Sequence, residues 1–146
     1  MLVSSSGGVL LELLALRPWW SAQETHWIAV RADDTEQVLA GLSVSWAAEL
    51  RPGQPIAVLR AVIQARRRLS AERVNAVVSA GSGIAVAWFV AARLCGVPTL
   101  WVETLNVIGR PGLAARCCAR LATSVVVQHP HLLARHRRSV YVGELY

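Results

Sequence analysis

The stretch Val77-Val-Ser-Ala-Gly-Ser-Gly-Ile84 decides the fold predicted for this chain. Small apolar residues lead into a turn with almost no side chains, Ala80–Gly83, and an apolar run without Gly or Pro continues to Cys95. This order predicts a strand, a glycine turn and a helix. Such a turn lets a ligand approach the backbone, and the helix aims free N–H groups at an anion such as a phosphate. The alternative is a tight connection that binds no ligand.

The beginning of the chain repeats this organisation. Leu2 and Val3 predict a short strand, and a second serine-glycine turn follows at Ser4–Gly8. The apolar residues of Val9–Leu16 then predict a helix that Pro18 ends. Both turns are therefore expected where a strand passes into a helix.

Strands and helices alternate along the whole sequence, and the strands lack a period of two in polarity. This pattern is typical of a parallel sheet covered on both faces, where ligands bind at the carboxyl ends of the strands. We therefore predict one α/β, Rossmann-like domain over residues 1–146. The remaining strands are predicted at 26–32, 43–46, 75–79, 99–102, 124–128 and 140–142. The remaining helices are predicted at 34–40, 56–69, 84–95 and 113–122, with a short helix after His131 that ends at about Arg135. Asp33 is predicted to be the N-cap of the helix at 34–40.

The helix predicted at 56–69 is amphipathic. One face carries a stripe that is interpreted as a solvated or membrane-facing surface, formed by Arg60, Gln64, Arg67 and Arg68. The opposite face is expected to be buried and carries Leu59, Val62, Ile63 and Leu69.

Composition limits the class of protein. Hydrophobic residues make up 54% of the chain, but the longest apolar run, Ile84–Leu94, is interrupted at Arg93 and is shorter than the ~20 residues that span a bilayer. Met1 runs directly into the first strand, so no signal peptide is expected. Cys95, Cys117 and Cys118 lack metal spacing and are interpreted as reduced cysteines of a cytoplasmic protein.

The net charge is +6, and all 15 basic residues are Arg. A basic chain can bind nucleic acid, an anionic membrane surface or a phosphorylated ligand. No basic ribbon with interleaved aromatic residues and no nucleic-acid motif is present, so nucleic acid is not expected as a partner. Anionic lipid and a diphosphate group fit the charge equally well, and arginine-rich coding bias is the alternative.

A dinucleotide site is a further alternative. Gly81-Ser-Gly83 with Glu103 about 20 residues later imitates the dinucleotide fingerprint, in which the acid holds a ribose. Val86 stands where the third glycine is required, and the turn lies in the middle of the chain rather than after the first strand. We therefore expect no such cofactor.

Several segments together resemble one family. They are Ser5-Ser-Gly-Gly8 with Leu10, Val77–Val86, Gly96-Val-Pro98 with Trp101-Val-Glu-Thr104, Leu121-Ala122 with Val126-Val-Gln128, and Val142-Gly143. In order and spacing the chain resembles the PssD/CpsF-like acceptor-side subunits of split GT-B glycosyltransferases. It is also similar to the N-terminal half of the enzyme that makes the peptidoglycan lipid precursor.

The resemblance implies a half-enzyme in polysaccharide biosynthesis, on the cytoplasmic face of the plasma membrane. A partner subunit would bind the UDP-sugar, and this chain would hold a polyprenyl-diphosphate-linked acceptor without a metal or cofactor. Glu103 is the candidate base, with capping of the following loop as its alternative role. The candidate acceptor-binding residues are Ser5, Ser6, Gly7, Gly8, Gly81, Ser82, Gly83 and Thr104.

Two departures from the family pattern matter. Val9 stands where the family commonly has a His, and Asn106-Val107 stands where it usually has an Arg. The family His is a proposed base, so its absence favours a non-catalytic scaffold that binds lipid or protein. The four histidines of this chain are expected at the surface or at strand ends, without a carboxylate partner: His26, His129, His131 and His136.

The last residues are aromatic and apolar. Tyr141, Leu145 and Tyr146 are predicted to dock the partner subunit, because aromatic residues are enriched at interfaces and nothing after Tyr146 could build a second half. The alternative is that these residues only cover the edge of the sheet.

Overall fold

The computed structural model describes residues 1–103, 112–136 and 138–143. Within them, seven strands form one sheet in the order β3-β2-β1-β4-β5-β6-β7, and every pair is parallel. The predicted parallel, Rossmann-like sheet is confirmed. The strands are β1 (Leu2–Ser4), β2 (Trp27–Val30), β3 (Val44–Ala47), β4 (Val77–Ser79), β5 (Thr99–Val102), β6 (Ser124–Val127) and β7 (Ser139–Tyr141).

Helices cover both faces of this sheet. On one face α1 and α2 pack over the strands, and on the other face α4, α5 and α6 do so. The helices are α1 (Gly8–Ala15), α2 (Arg17–Trp20), α3 (Asp33–Val38), α4 (Pro55–Ala71), α5 (Gly83–Cys95) and α6 (Leu113–Leu121), and a 3-10 helix spans Pro130–Arg135.

Successive strand residues point to opposite faces, as the pleat requires. In β5, Trp101 joins the core under α4, α5 and α6, whereas Val102 joins the core under α1 and α2. Both positions are buried. This explains why the strands lack a period of two in polarity.

Two local expectations near the beginning of the chain need correction. The helix predicted at Val9–Leu16 does end before Pro18, at Ala15, but Pro18 then lies in the first turn of a second short helix, α2, where its missing N–H needs no partner. Asp33 is not the N-cap of α3, because it is the first helical residue and Ala32 takes the cap position. The Ala32 N–H is satisfied instead by the Thr35 hydroxyl at 2.8 Å.

Helix α4 is turned relative to the sequence prediction. Its inner face is formed by Val58, Ala61, Val62, Ala65 and Leu69, which pack into the core. Leu59 and Ile63, expected on the buried face, are 60% and 44% exposed. The small side chains of Ala61 and Ala65 permit the close approach of α5, which is the main neighbour of α4.

Arg68 also differs from the expectation of a solvated stripe. It is half-buried and forms an ion pair with Glu72 at 2.8 Å. Its Nη2 also lies 2.8 Å from Nε2 of His26, just before β2. Arg68 therefore ties the last turn of α4 to the amino end of the sheet.

The cysteines and the helix lengths complete the description. Cys95, Cys117 and Cys118 are free, and burial raises the pKa of the Cys118 thiol to about 12. Among the described residues, no helix combines the length and apolarity needed to cross a membrane.

Candidate functional site

The two serine-glycine turns meet at the point where the strand order reverses. β1 pairs with β2 on one side and with β4 on the other, so the turns after β1 and β4 lie side by side at the carboxyl rim. A Cβ built on Gly81 would lie 2.7 Å from Cγ2 of Val9. The predicted position of both turns at the carboxyl rim is therefore confirmed, and the structure adds that they flank a topological switch point, where ligands of open α/β sheets bind.

The turn before α1 is open and holds an anionic group. Gly7 has a φ of 73°, and its N–H donates to Oδ2 of Asp34 at 3.0 Å. Gly8 is exposed, and a Cβ there would meet nothing within 4 Å. Ser5 is half-buried and Ser6 is exposed beside them. A carboxylate on this backbone shows that the turn accepts negative charge.

The turn after β4 is closed by contacts within the chain. The Gly81 N–H donates to Oγ of Ser79 at 3.2 Å, and that hydroxyl donates to the carbonyl of Val3 at 2.7 Å. A Cβ on Gly83 would lie 2.2 Å from the carbonyl oxygen of Leu50. Gly81 and Gly83 therefore lack side chains because neighbouring residues pack directly against their backbone.

Ser82 is strained within this second turn. Its φ of 95° and ψ of 159° lie in a region that is nearly exclusive to glycine, at a cost of about 1–3 kcal/mol. Its buried Oγ has no hydrogen-bond partner among the described residues. Contacts among the described residues therefore explain neither the strained conformation of Ser82 nor its buried hydroxyl.

Glu103 follows β5 at the same rim. Ser79 pairs with Trp101 in the parallel register, so Glu103 lies at the level of Gly81. The carboxylate is buried, and its Oε2 lies 2.9 Å from Nε2 of His136. The expectation that His136 lacks a carboxylate partner is wrong, because the 3-10 helix carries the chain back from β6 and brings His136 to Glu103.

A second buried contact joins the rim to α1. Gln128 follows β6, and its Nε2 donates to Oε2 of Glu12 at 2.8 Å and to the carbonyl oxygen of Glu103 at 3.2 Å. Glu12 and Gln128 are both buried. Sequence analysis missed Glu12, although one acid in the apolar run Val9–Leu16 is a signal that could have found it.

The predicted docking residues are only partly described. Tyr141 lies in β7, an edge strand of the described sheet, and is 43% exposed beside the exposed Val140 and Val142. Thr104, Leu145 and Tyr146 lie outside the described residues. Within the described part of the chain, no group of three or more His, Cys, Asp or Glu side chains is placed to hold a metal ion.

Comparison with known proteins finds sequence similarity over half of the chain. No family model matches it. It is 37% identical over 76 residues to the UDP-N-acetylglucosamine--N-acetylmuramyl-(pentapeptide) pyrophosphoryl-undecaprenol N-acetylglucosamine transferase of Haemophilus influenzae, covering 52% of this chain and 21% of that protein. The same transferase of Glaesserella parasuis is 40% identical over 55 residues, covering 38% of this chain and 16% of the relative. The matches thus span about a fifth of these curated relatives.

The fold is similar to about half of several longer chains. MurG of Acinetobacter baumannii superposes with a TM-score of 0.78 and 21% identity, over 97% of this chain and 45% of its own. This chain has the fold of the N-terminal GT-B domain of MurG. The UDP-N-acetylglucosamine 2-epimerase of Rickettsia bellii also shares the fold, with a TM-score of 0.74 and 10% identity, over 99% of this chain and 44% of its own. At the level of the GT-B class, the resemblance stated above is supported.

Proposed function

We propose that this chain is the acceptor-side half of a two-component, UDP-sugar-dependent glycosyltransferase of the PssD/CpsF-like kind. It holds a polyprenyl-diphosphate-linked saccharide during capsule or exopolysaccharide synthesis, while a partner subunit binds the UDP-sugar. The observation that carries the proposal is the placement of both serine-glycine turns at the switch point of a MurG-like fold, where Gly81 of the second turn lies against Val9, directly after the first turn. The similarity to transferases whose name includes a pyrophosphoryl-undecaprenol substrate supports the same class of acceptor.

The diphosphate is assigned mainly to the turn before α1. There Gly7 already binds a carboxylate and Gly8 is exposed, and the positive end of α1 favours an anion. In the second turn, Ser82 contributes its hydroxyl, which no described residue hydrogen-bonds, whereas Gly81 and Gly83 shape the backbone. Ser5, Ser6 and Thr104 remain predicted members of the site.

A titration with a soluble polyprenyl-diphosphate analogue tests this assignment. Gly83→Asp is unsuitable, because any side chain there meets the carbonyl of Leu50. Gly8→Asp places a negative charge in open space at the start of α1 and should weaken binding at least 10-fold. The matched control is Gly112→Asp, at the start of α6, where a Cβ also meets nothing within 4 Å. Equal affinity of wild type and both variants would contradict the assignment.

Glu103 is proposed as the base that takes the proton from the acceptor hydroxyl, with His136 as its hydrogen-bonded partner. Glu103→Gln keeps the size of the side chain but removes its basicity, so turnover of the two-chain enzyme should fall about 100-fold or more. Glu24→Gln, at an exposed position, is the control. A loss of only a few-fold with Glu103→Gln would leave Glu103 with a structural role.

A non-catalytic scaffold is the second candidate. The observation that favours it is Val9, which fills the place of the family His with an apolar side chain against Gly81. This candidate predicts that the chain binds the diphosphate analogue and the partner, and that turnover of the two-chain assembly does not depend on Glu103.

A peripheral position on the cytoplasmic face of the plasma membrane is part of the proposal. Helix α4 exposes Ile56, Leu59 and Ile63, and Arg60, Arg66 and Arg67 are exposed on the same helix. Apolar side chains flanked by arginines suit an interfacial helix on anionic lipid.

A further inference from the structure

Helix α1 contains a buried acid that the proposed chemistry does not use. Glu12 is 1% exposed in an otherwise apolar helix. Its Oε2 accepts the hydrogen bond from Gln128, whereas its Oε1 has no hydrogen-bond partner among the described residues. Burying a carboxylate with so little compensation is unfavourable. The stability of the fold therefore does not account for Glu12.

The partner of Glu12 has a fixed orientation. Gln128 is fully buried, and its amide nitrogen contacts two acceptors, the Glu12 carboxylate and the Glu103 carbonyl. An amide nitrogen has two N–H donors, and both are used here. The opposite orientation would point the amide oxygen at two acceptors. Both acceptors favour this orientation, and the Glu12 carboxylate is the nearer one, at 2.8 Å against 3.2 Å for the Glu103 carbonyl, so Glu12 contributes more to the orientation in which Gln128 holds Glu103.

Glu103 is held by contacts that include three described residues. Its N–H donates to the carbonyl of Val126 at 2.9 Å, its carbonyl accepts from Gln128 at 3.2 Å, and its carboxylate contacts His136 at 2.9 Å. The main-chain contacts fix the point from which the carboxylate extends. Glu12 therefore acts on the carboxylate through a single amide group.

We propose that Glu12 and Gln128 are positioning residues for Glu103: Gln128 holds its main chain, and Glu12 fixes the amide of Gln128. The inference rests on the proposed function of Glu103 as the base. It also links two parts of the site, because α1 carries both Glu12 and the turn assigned to the diphosphate. If α1 moves when the acceptor binds, it would also move Glu12 and, through Gln128, the main chain of Glu103.

The inference is tested first without turnover, from the ring nitrogen resonances of His136 in 15N-labelled protein. Glu12→Gln keeps the volume, removes the buried charge and lets Gln128 turn over, so the Nε2 resonance of His136 should shift. The melting temperature should not fall, because a buried charge is lost. The exposed control Glu24→Gln should leave both unchanged. An unchanged His136 resonance in Glu12→Gln would overturn the inference.

Kinetics of the two-chain enzyme separate positioning from a merely structural pair. Glu12→Gln should lower kcat about 10-fold or more with KM for the UDP-sugar unchanged, since small displacements of a reacting group are expensive. The double variant Glu12→Gln, Gln128→Glu restores a buried amide–carboxylate pair but turns an oxygen toward the Glu103 carbonyl, so kcat should stay low. Recovery of kcat by this swap would overturn the inference.

The two arms also separate this inference from the proposed function. If the wild-type pair transfers no sugar, the proposed function fails, while the His136 resonance still decides whether Glu12 positions Glu103. If the double variant does not fold, the single variant Glu12→Gln decides both measurements.

Discussion

At the amino end of β2, His26 is held by partners that favour its neutral form. Its Nδ1 lies 2.6 Å from the hydroxyl of Ser43, and its Nε2 lies near Ser45 and Arg68. Burial lowers the pKa of His26 from its ordinary value of 6.5, and the charge of Arg68 lowers it further. A proton on this ring is therefore less favourable in the folded chain than in the unfolded chain.

The folding stability should consequently depend on His26 in mildly acidic solution. A lowered pKa contributes stability that is present above pH 6.5 and is lost as the pH falls through the lower value of the folded state. Urea denaturation between pH 7.5 and pH 5 should show this loss, and His26→Gln should reduce it. The exposed His131→Gln is the control, and equal pH dependence in wild type and His26→Gln would contradict the prediction.

Ser82 offers a prediction on strain. Ser82→Gly relieves the unfavourable φ of 95°, and this gain exceeds the extra entropy that glycine loses on folding, so stability should rise by about 1 kcal/mol. Because the variant also removes the hydroxyl assigned to the diphosphate, it should bind the diphosphate analogue more weakly. Thermal denaturation and titration of the same samples measure both effects, and a less stable variant would show that the serine side chain supports the turn.

At the scale of elements, the first residue of α5, Gly83, packs so closely against another part of the chain that no side chain fits there. A Cβ on Gly83 would lie 2.2 Å from the Leu50 carbonyl, which belongs to the loop between β3 and α4. Gly83→Ala should therefore destabilise the protein by about 1–3 kcal/mol. Gly8→Ala at the start of α1 meets open space and serves as the control. Chemical denaturation measures the free energy of unfolding of both variants. Equal values would show that the loop containing Leu50 moves aside at little cost.

If the chain binds membranes as proposed, helix α4 should carry that binding. Replacing Leu59 and Ile63 by Ser removes exposed apolar surface without touching the core, so binding to vesicles that contain anionic lipid should fall at least several-fold. Leu113→Ser removes a similarly exposed residue from α6 and should have no effect. Co-sedimentation with vesicles measures the difference, and equal binding of all variants would place the contact elsewhere.

The helices also show what sequence patterns can and cannot predict. Hydrophobic order identified α4 and α5 as helices and gave the bounds of β5, Thr99–Val102, correctly. It misplaced Leu59 and Ile63, because the inner face of α4 is decided by how closely α5 approaches Ala61 and Ala65. Hydrophobic periodicity shows which helix face is the most apolar. In α4, however, the face with the smallest side chains is the one that is buried.

On the scale of the whole molecule, β7 is an edge strand of the sheet that the described residues form, and it exposes Val140 and Tyr141. We expect this edge and residues 143–146 to dock the donor-binding subunit. Removing residues 143–146 together with Tyr141→Ser should abolish co-purification with that subunit. Leu42→Ser, next to the opposite edge strand β3, is the control. Full capture by a folded truncated chain would show that the dock lies elsewhere.

Long-range contacts set the limit of prediction at this scale. The position of both serine-glycine turns at one rim could be predicted, because strand–helix alternation dictates a parallel sheet, whereas their proximity depends on the pairing of β1 with β4. The pairing of Glu103 with His136 and of Glu12 with Gln128 could not, since each joins residues that only the finished sheet brings together. In the case of Glu12, an acid in a short helix is ordinarily assigned to solvent, and its burial depends on β6.

The reversal of strand order at β1 also governs how this chain reaches its fold. The Ser79 hydroxyl and the Val3 carbonyl, which join β4 to β1, are 76 positions apart. A loop of that length must close before β1 has neighbours on both sides, and non-local parallel pairing is slow. During synthesis, β1 therefore keeps an unpaired edge until β4 leaves the ribosome. Nascent chains that end before β4 expose this edge, which ceases to be an aggregation site once β4 pairs with it.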